Sequence, residues 1–481
     1  MTYDEQRSFA DDFRTKVEDR LRVVERRLGQ TFSNRNVGSS IGIFSRRRSV
    51  ALFRARLIAE RSRPATAASR PDRWRGAWRH FRQTLSRLSV GCTVVLVAGC
   101  ATLPPRNVLP ETHTGQIELE GFRNIRFWGD ASPRDIEAIV RIEVPTTGAR
   151  LGLEARSHQS ASNLLAISGG AEDGAFGAGL LVGWSDAGTR PSFDLVTGVS
   201  SGALIAPFAF LGREHDNQLR ELFTKYGRKD IFTYNVKGII GGSALADDKP
   251  LSRLIDKYVD DTLLEEIARE RMKGRILLIG TTNLDAQRPV MWDMGRIAMT
   301  PGSDAKGLFR KILLASATLP GLFPPVRIQV RVGQQVYDEL HVDGGVTRQV
   351  FLAPSVVTLF PSDRKPGDGL RPRLYVIRNG KVDPEWKSVD EEILSVTRRS
   401  ISTLIKNQGV GDLYRIYAAT KHDGIDFNLA SIPADFSYAG DEPFDQRYMI
   451  ALFNRGYSLG AHQYSWSKAP PGIELIAQAR K

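Results

Sequence analysis

Cysteine is nearly absent: in 481 residues only Cys92 and Cys100 carry a thiol, and none follows Cys100. The region after Cys100 therefore has no disulfide framework, no cysteine-based zinc cluster and no cysteine nucleophile. Histidine is also sparse there, limited to His113, His158, His215, His341, His422 and His462. An excess of one charge is missing from the same region. The formal net charge is +13, but residues 1–99 hold 21 Lys and Arg against 9 Asp and Glu, which leaves 46 against 45 for the remainder. That near-neutrality argues against a basic nucleic-acid groove, and no nucleic-acid partner is expected. What the chain does have is length and 41% hydrophobic residues, enough for one large or two ordinary domains with a real core.

The basic excess belongs to the start of the chain. Arg75, Arg79, Arg82 and Arg87 precede an apolar stretch, Leu88 to Ala98, that ends in Val97-Ala98-Gly99-Cys100. A charged region, a short apolar region and small residues at the end are the layout of a secretory signal over 75–99. Its last four residues resemble a bacterial lipobox, which implies a lipid-modified Cys100 at the start of the mature protein. It also implies a place in the bacterial cell envelope, facing the periplasm or exterior. Ala101, where an aspartate would resemble an inner-membrane retention signal, favours the outer membrane. The competing reading is a short buried helix, since eleven apolar residues are too few to span a bilayer. Residues 1–74 fit poorly ahead of a signal, and no Met occurs between Met1 and Met272. Translation from a downstream non-ATG codon accounts for this, as does a genuine, partly disordered extension.

After a tether and entry segment over 100–160, proline-rich at "TLPPRNVLP" and with a strand and a turn expected at "NIRFWGDASP", short β-rich runs recur: "NLLAIS" (163–168), "FDLVTG" (193–198), "RILLIGTTNLD" (275–285), "ELHVDGG" (339–345) and "RLYVIRNG" (373–380). Helical patterns such as "GALIAPFAFLG" and "LFRKILLASATLP" lie between them. The alternation predicts an α/β fold, a three-layer α/β/α sandwich around a mainly parallel sheet, with chemistry at the carboxyl ends of its strands. A core over 161–387 and a helical part over 388–481 are expected. In the latter Ile401, Leu404, Ile405, Val410, Leu413, Tyr414 and Tyr417 form a stripe at helical spacing, as do Phe444, Tyr448, Leu452 and Phe453, and both stripes are expected to pack on the sheet.

Two glycine-rich turns carry the chemistry. In "DLVTGVSSGALIA" a strand leads into Gly198-Val199-Ser200-Ser201-Gly202 and then a helix. G-x-S-x-G in a strand-turn-helix setting holds a serine in a strained backbone where a Cβ on either side would clash. Ser200 is the candidate nucleophile, and Ser201, already within the helix, the poorer one. A serine needs a base within reach. His341, Asp343 and Gly345 alternate on one face if "ELHVDGG" is a strand, and Asp343, at its end before Gly344 and Gly345, is better placed to approach a neighbouring loop. The second turn, "ISGGAEDGAFGAG" (167–179), could cradle a phosphate, stabilise a developing negative charge or merely turn. A nucleotide is not expected: neither G-x-G-x-x-G nor G-K-[ST] is present, and Glu172 and Asp173 would repel phosphates.

These residues resemble the patatin-like phospholipases, which use a Ser-Asp dyad. The likeness covers about Leu164 to Gly345 and rests on three motifs in the family's order: the glycine-rich loop at 169–174, G-x-S-x-G at 198–202 and D-G-G at 343–345. Two intervening segments, "IGTTNLDAQRPVMWDMG" and "LLASATLPGLFPPV", also look like bacterial members. The resemblance implies Ser200 as nucleophile and Asp343 as its base. It implies an oxyanion hole from the amides of Gly169, Gly170 and Ala171, with Gly174, Gly198, Gly202, Gly344 and Gly345 as motif glycines and no metal or cofactor. The usual loop is G-G-G-x-[KR]-G. Here Ala171 replaces the third glycine, a mild change if φ is negative there, and Asp173 replaces the cation, which puts phospholipid preference in doubt.

Asn283, Asp285 and Arg288 could line the cleft, or serve loop hydrogen bonds and ion pairs. Pro320, Phe323, Pro324 and Pro325 are expected to shape a loop beside the site, and Trp184 and Trp292 to be core or cleft wall. The resulting expectation is a membrane-tethered serine acyl hydrolase acting on membrane lipids. The alternative is a binding or scaffolding lipoprotein of the same fold without turnover.

Overall fold

The computed structural model describes residues 106–132, 162–234, 244–300, 304–352, 371–440 and 442–473. The signal-like segment, the extension before it and Cys100 lie outside them.

The central sheet is built from β1 (Arg126–Trp128), β2 (Asn163–Ile167), β3 (Leu195–Val199), β6 (Ile276–Asn283), β7 (Arg288–Asp293), β8 (Val326–Val332), β9 (Gln335–Asp343), β10 (Arg373–Arg378) and β11 (Asp426–Ser431). A small separate ribbon pairs β4 (Thr233–Tyr234) with β5 (Ala246–Asp247). The main path runs β1-β7-β6-β3-β2-β10-β11. The five strands from β6 to β11 along it are parallel, whereas β7 and β1 add antiparallel at one edge. Residues of β2 show why these runs read as continuously apolar: Leu165 and Ile167 enter one core, Leu164 and Ala166 the other. Successive side chains point to opposite faces, so a strand covered on both sides has no polar alternation.

One face carries helices α1 (Gly174–Asp186), α2 (Ser201–Leu211), α3 (Asp216–Thr224), α4 (Lys249–Tyr258), α5 (Asp261–Met272), α6 (Met294–Met299), α7 (Ala305–Ser316) and, late in the chain, α9 (Gln446–Ala461). The other is covered by Val350–Leu352 and by Leu413 and Ile416 of α8 (Ile393–His422). This is the expected three-layer arrangement. Some glycines of 167–179 serve helix packing. A Cβ on Gly179 would lie 2.1 Å from the Phe453 carbonyl oxygen, and one on Gly183 2.1 Å from that of Tyr457, so α1 and α9 meet backbone to backbone.

Three differences from the sequence reading stand out. The segment 388–481 is not helical throughout, because Asp426–Ser431 is the sheet's edge strand, parallel to β10. The stripe on α8 is divided: Leu413 is buried, but Ile401 is 51% and Leu404 70% exposed. β9 is antiparallel, forming a hairpin with β8 and pairing with the far end of β6.

Candidate active site

That antiparallel strand assembles the site. The last residue of β3 pairs Val199 with Gly280 of β6, and the next residue of β6, Thr281, pairs with Asp343 at the end of β9. β3 and β9 thus approach end to end along one edge of β6, and the residue following β3 is Ser200. The Ser200 hydroxyl donates to Asp343 Oδ2 at 2.6 Å. The other carboxylate oxygen, Oδ1, accepts the Gly345 N–H at 2.7 Å, and the Asp343 N–H donates to the Thr318 carbonyl at 2.9 Å.

Ser200 has φ 56° and ψ −127°, a conformation that costs a non-glycine residue on the order of 1–3 kcal/mol. Its neighbours explain how the turn closes. A Cβ on Gly198 would lie 2.4 Å from the Gly202 carbonyl oxygen, and one on Gly202 2.4 Å from that of Ile167. The Ser200 N–H donates to Ser316 Oγ at 3.1 Å, and that hydroxyl donates to the Gly280 carbonyl at 2.7 Å. Ser316 was not singled out from the sequence. Its signal is a hydroxyl that ends the apolar run closing a helix, in "LLASATLP".

Burial pushes the Asp343 carboxyl up to about 6, with the bonds from Ser200 and the Gly345 amide pulling the other way. His341 shares its face of β9 but not its surroundings. Nδ1 is 2.9 Å from Thr281 Oγ1 and Nε2 3.0 Å from Glu339 Oε2, so both ring nitrogens are engaged away from Ser200. Burial holds the His341 imidazole below its usual range. Arg126, bonded to Glu339 at 2.6 Å, closes this separate buried chain.

The glycine loop packs directly on the elbow, since a Cβ on Gly169 would lie 2.8 Å from Ser200 Cβ. The three amides expected to act together are not equivalent. Gly169 N–H donates to the Gln349 carbonyl at 3.1 Å, whereas those of Gly170 and Ala171 have no hydrogen bond among the described residues. Ala171 has φ 52°, so the change from glycine is not the mild one anticipated for a negative angle: the residue is held left-handed, at about 1–2 kcal/mol. Asp173 is half-buried and accepts a hydrogen bond from Tyr448 of α9. Burial raises its carboxyl to about 7, with Glu172 and Glu385 adding to the rise and Tyr448 and Arg378 opposing it.

Ser200, Ser201 and Ala171 line part of an apolar cleft. Its walls come from Leu204 and Phe208 of α2, Leu251, Leu254, Ile255 and Tyr258 of α4, and Phe323 and Phe444. Asp173, Asn283, Asp285 and Arg288 do not line it. Asn283 accepts the Ala286 N–H within its own loop at 3.1 Å, Asp285 pairs with Arg106 at 2.8 Å, and Arg288 pairs with Asp130 at 2.7 Å. Loop hydrogen bonding and ion pairing therefore describe these three. Trp184 and Trp292 are core. Among the described residues no group of three or more His, Cys, Asp or Glu is placed to hold a metal ion, and no helix is long and apolar enough to cross a membrane.

Comparisons with known proteins find a relative, two solved structures and a family model. Calcium-independent phospholipase A2-gamma of Rattus norvegicus is 25% identical over 231 residues, 45% of this chain and 27% of that protein, so the chain spans about a quarter of that relative's length. Of solved structures, VipD from Legionella pneumophila superposes with a TM-score of 0.29 at 10% identity, over 63% of this chain and 67% of its own. Human GIVD cytosolic phospholipase A2 does so with a TM-score of 0.25 at 8% identity, over 64% and 55%. Residues 165–354 match the family model of the patatin-like phospholipases, and across them this chain carries a patatin-like phospholipase domain.

Proposed function

We propose that this chain is a serine acyl hydrolase that cleaves carboxylic esters of lipids through Ser200 and Asp343. The observation that carries the reading is the 2.6 Å bond from Ser200 Oγ to Asp343 beside an apolar cleft, with both ring nitrogens of His341 engaged elsewhere. Ionised Asp343 takes the hydroxyl proton as Ser200 Oγ attacks the ester carbonyl, forming a tetrahedral oxyanion. In this reading the amides of Gly170 and Ala171, which make no hydrogen bond among the described residues, donate to that charge, and each such donor is worth about 10²- to 10³-fold in rate. Asp343 then delivers the proton to the leaving alcohol, and water, deprotonated by the same carboxylate, hydrolyses the acyl-Ser200. The cleft, lined mainly by apolar side chains, holds the acyl chain.

A lipid panel of phospholipid, lysophospholipid and neutral glyceride tests this. Wild type should release fatty acid and Ser200→Ala none. An alkylphosphonate should label wild type and not Ser200→Ala, and absence of labelling in both would favour a non-catalytic lipid-binding protein. The leader extends the proposal: Cys100 carries the lipid anchor and holds the domain at the envelope membrane, weakly favouring the outer one. Its several chains supply the stable attachment that one alone would not. Mass analysis of the mature amino terminus checks it, and an unmodified start upstream of Cys100 would refute it.

A further inference from the structure

The loop has an aspartate, Asp173, where the family pattern has a cation, yet a buried cation stands against the loop from another strand. Arg378, at the end of β10, is 5% exposed. Its Nη1 donates to the Gly169 carbonyl at 3.2 Å and to Ser168 Oγ at 3.2 Å. Ser168 Oγ itself donates to the Gly169 carbonyl at 2.6 Å and accepts the Asn379 N–H at 2.8 Å. Two donors, one of them charged, converge on a single carbonyl oxygen.

That carbonyl shares a planar trans peptide with the Gly170 N–H, and in such a unit the C=O and N–H point in opposite directions. Holding the Gly169 oxygen therefore aims the Gly170 amide, and a charged donor on the oxygen polarises the peptide, strengthening its N–H as a donor. We propose that Arg378 is a positioning residue for ester hydrolysis, acting through the Gly169–Gly170 peptide to aim and strengthen the Gly170 amide at the oxyanion. The inference rests on the acyl-hydrolase reading of the site.

Two further observations favour this over a structural tie. The loop is already tied without the charge: Asn379 Nδ2 donates to the Ser168 carbonyl at 2.8 Å and its Oδ1 accepts the Gly177 N–H at 3.0 Å. The guanidinium is under-used as a structural group, since its Nε is buried without a partner. Room has nonetheless been made for it. A Cβ on Gly409 would lie 2.9 Å from Nη2, and glycine in the interior of a helix such as α8 is unfavourable relative to alanine. Arg378 does not line the cleft, so its influence on the reaction passes through the peptide.

The test measures kcat and KM of the full chain on a soluble aryl ester, with thermal melting alongside, for wild type, Arg378→Met, Arg378→Lys and Gly409→Ala. Arg378→Met should lower kcat about 10- to 100-fold while KM stays within about threefold, as for a misdirected catalytic group. Arg378→Lys should recover part of the loss, and the acid limb of the pH profile, set by Asp343, should not move. Gly409→Ala should melt no lower than wild type while losing kcat, because it crowds the guanidinium without removing it; this variant decides the matter if Arg378→Met does not fold. An active wild type matched in kcat by both Arg378→Met and Gly409→Ala overturns the inference alone. A wild type that hydrolyses no ester and takes no phosphonate overturns the hydrolase reading and the inference with it.

Discussion

Asp343 shows how one residue's surroundings set both activity and stability. Its carboxyl titrates near 6 in the fold and at 3.8 unfolded, because burial disfavours the charge. The stability this group contributes is fully present below pH 3.8 and is lost as pH rises through 6, so the ionised form that the proposed mechanism requires destabilises the neutral-pH protein. Hydrolysis should rise with pH with a midpoint near 6, read from kcat/KM between pH 4.5 and 8. Asp343→Asn should abolish hydrolysis yet raise stability at pH 8 by about 1–3 kcal/mol, with no gain at pH 4, as urea unfolding would show. His341→Gln should do the reverse, costing about 1–3 kcal/mol by weakening the buried bonds to Glu339 and Thr281 while keeping kcat within about tenfold. Loss of nearly all activity in folded His341→Gln would contradict the dyad. Ala171→Gly, which removes the left-handed strain at φ 52°, should add about 0.5–1 kcal/mol and retain activity.

Among the elements, α4 controls the cleft. Leu251, Leu254, Ile255 and Tyr258 occur at helical spacing and line the cleft, far in sequence from Ser200. Filling it with Leu254→Trp should reduce kcat/KM about tenfold or more for long-chain esters while leaving butyrate esters nearly unaffected, which a chain-length series would resolve; equal losses at all lengths would mean that the chain lies elsewhere. The elbow was legible because strand, G-x-S-x-G and helix are contiguous and each obeys a local rule. The helical stripe on α8 was legible as a helix but not as a surface. Periodicity reports which residues share a face, and only tertiary packing decides how much of that face is covered: Leu404 is exposed and Leu413 buried. β11 was missed because a six-residue edge strand between two long helices has little pattern of its own.

For the molecule as a whole, the glycine loop lies where the order of the sheet reverses. From β2 the chain moves outward to β3 and β6, then returns to β10 on β2's other side. The crevice at this switch point is where open α/β sheets bind ligands, and it brings Ser168, Ser200, Asp343 and Arg378 together from four separate strand ends. The amino-acid sequence by itself determined the parallel strands and the strained serine, since these follow from local apolar runs, glycine spacing and turn chemistry, and the resemblance of its ordered motifs to the patatin-like phospholipases implied Asp343 as the serine's partner. Only the tertiary structure decided that β9 enters antiparallel, that His341 is occupied elsewhere, that Gly169's amide is engaged, and that the loop's cation comes from Arg378. Each of these depends on which distant backbone atoms become neighbours, and that is set by strand pairing across the sheet rather than by anything local in the chain.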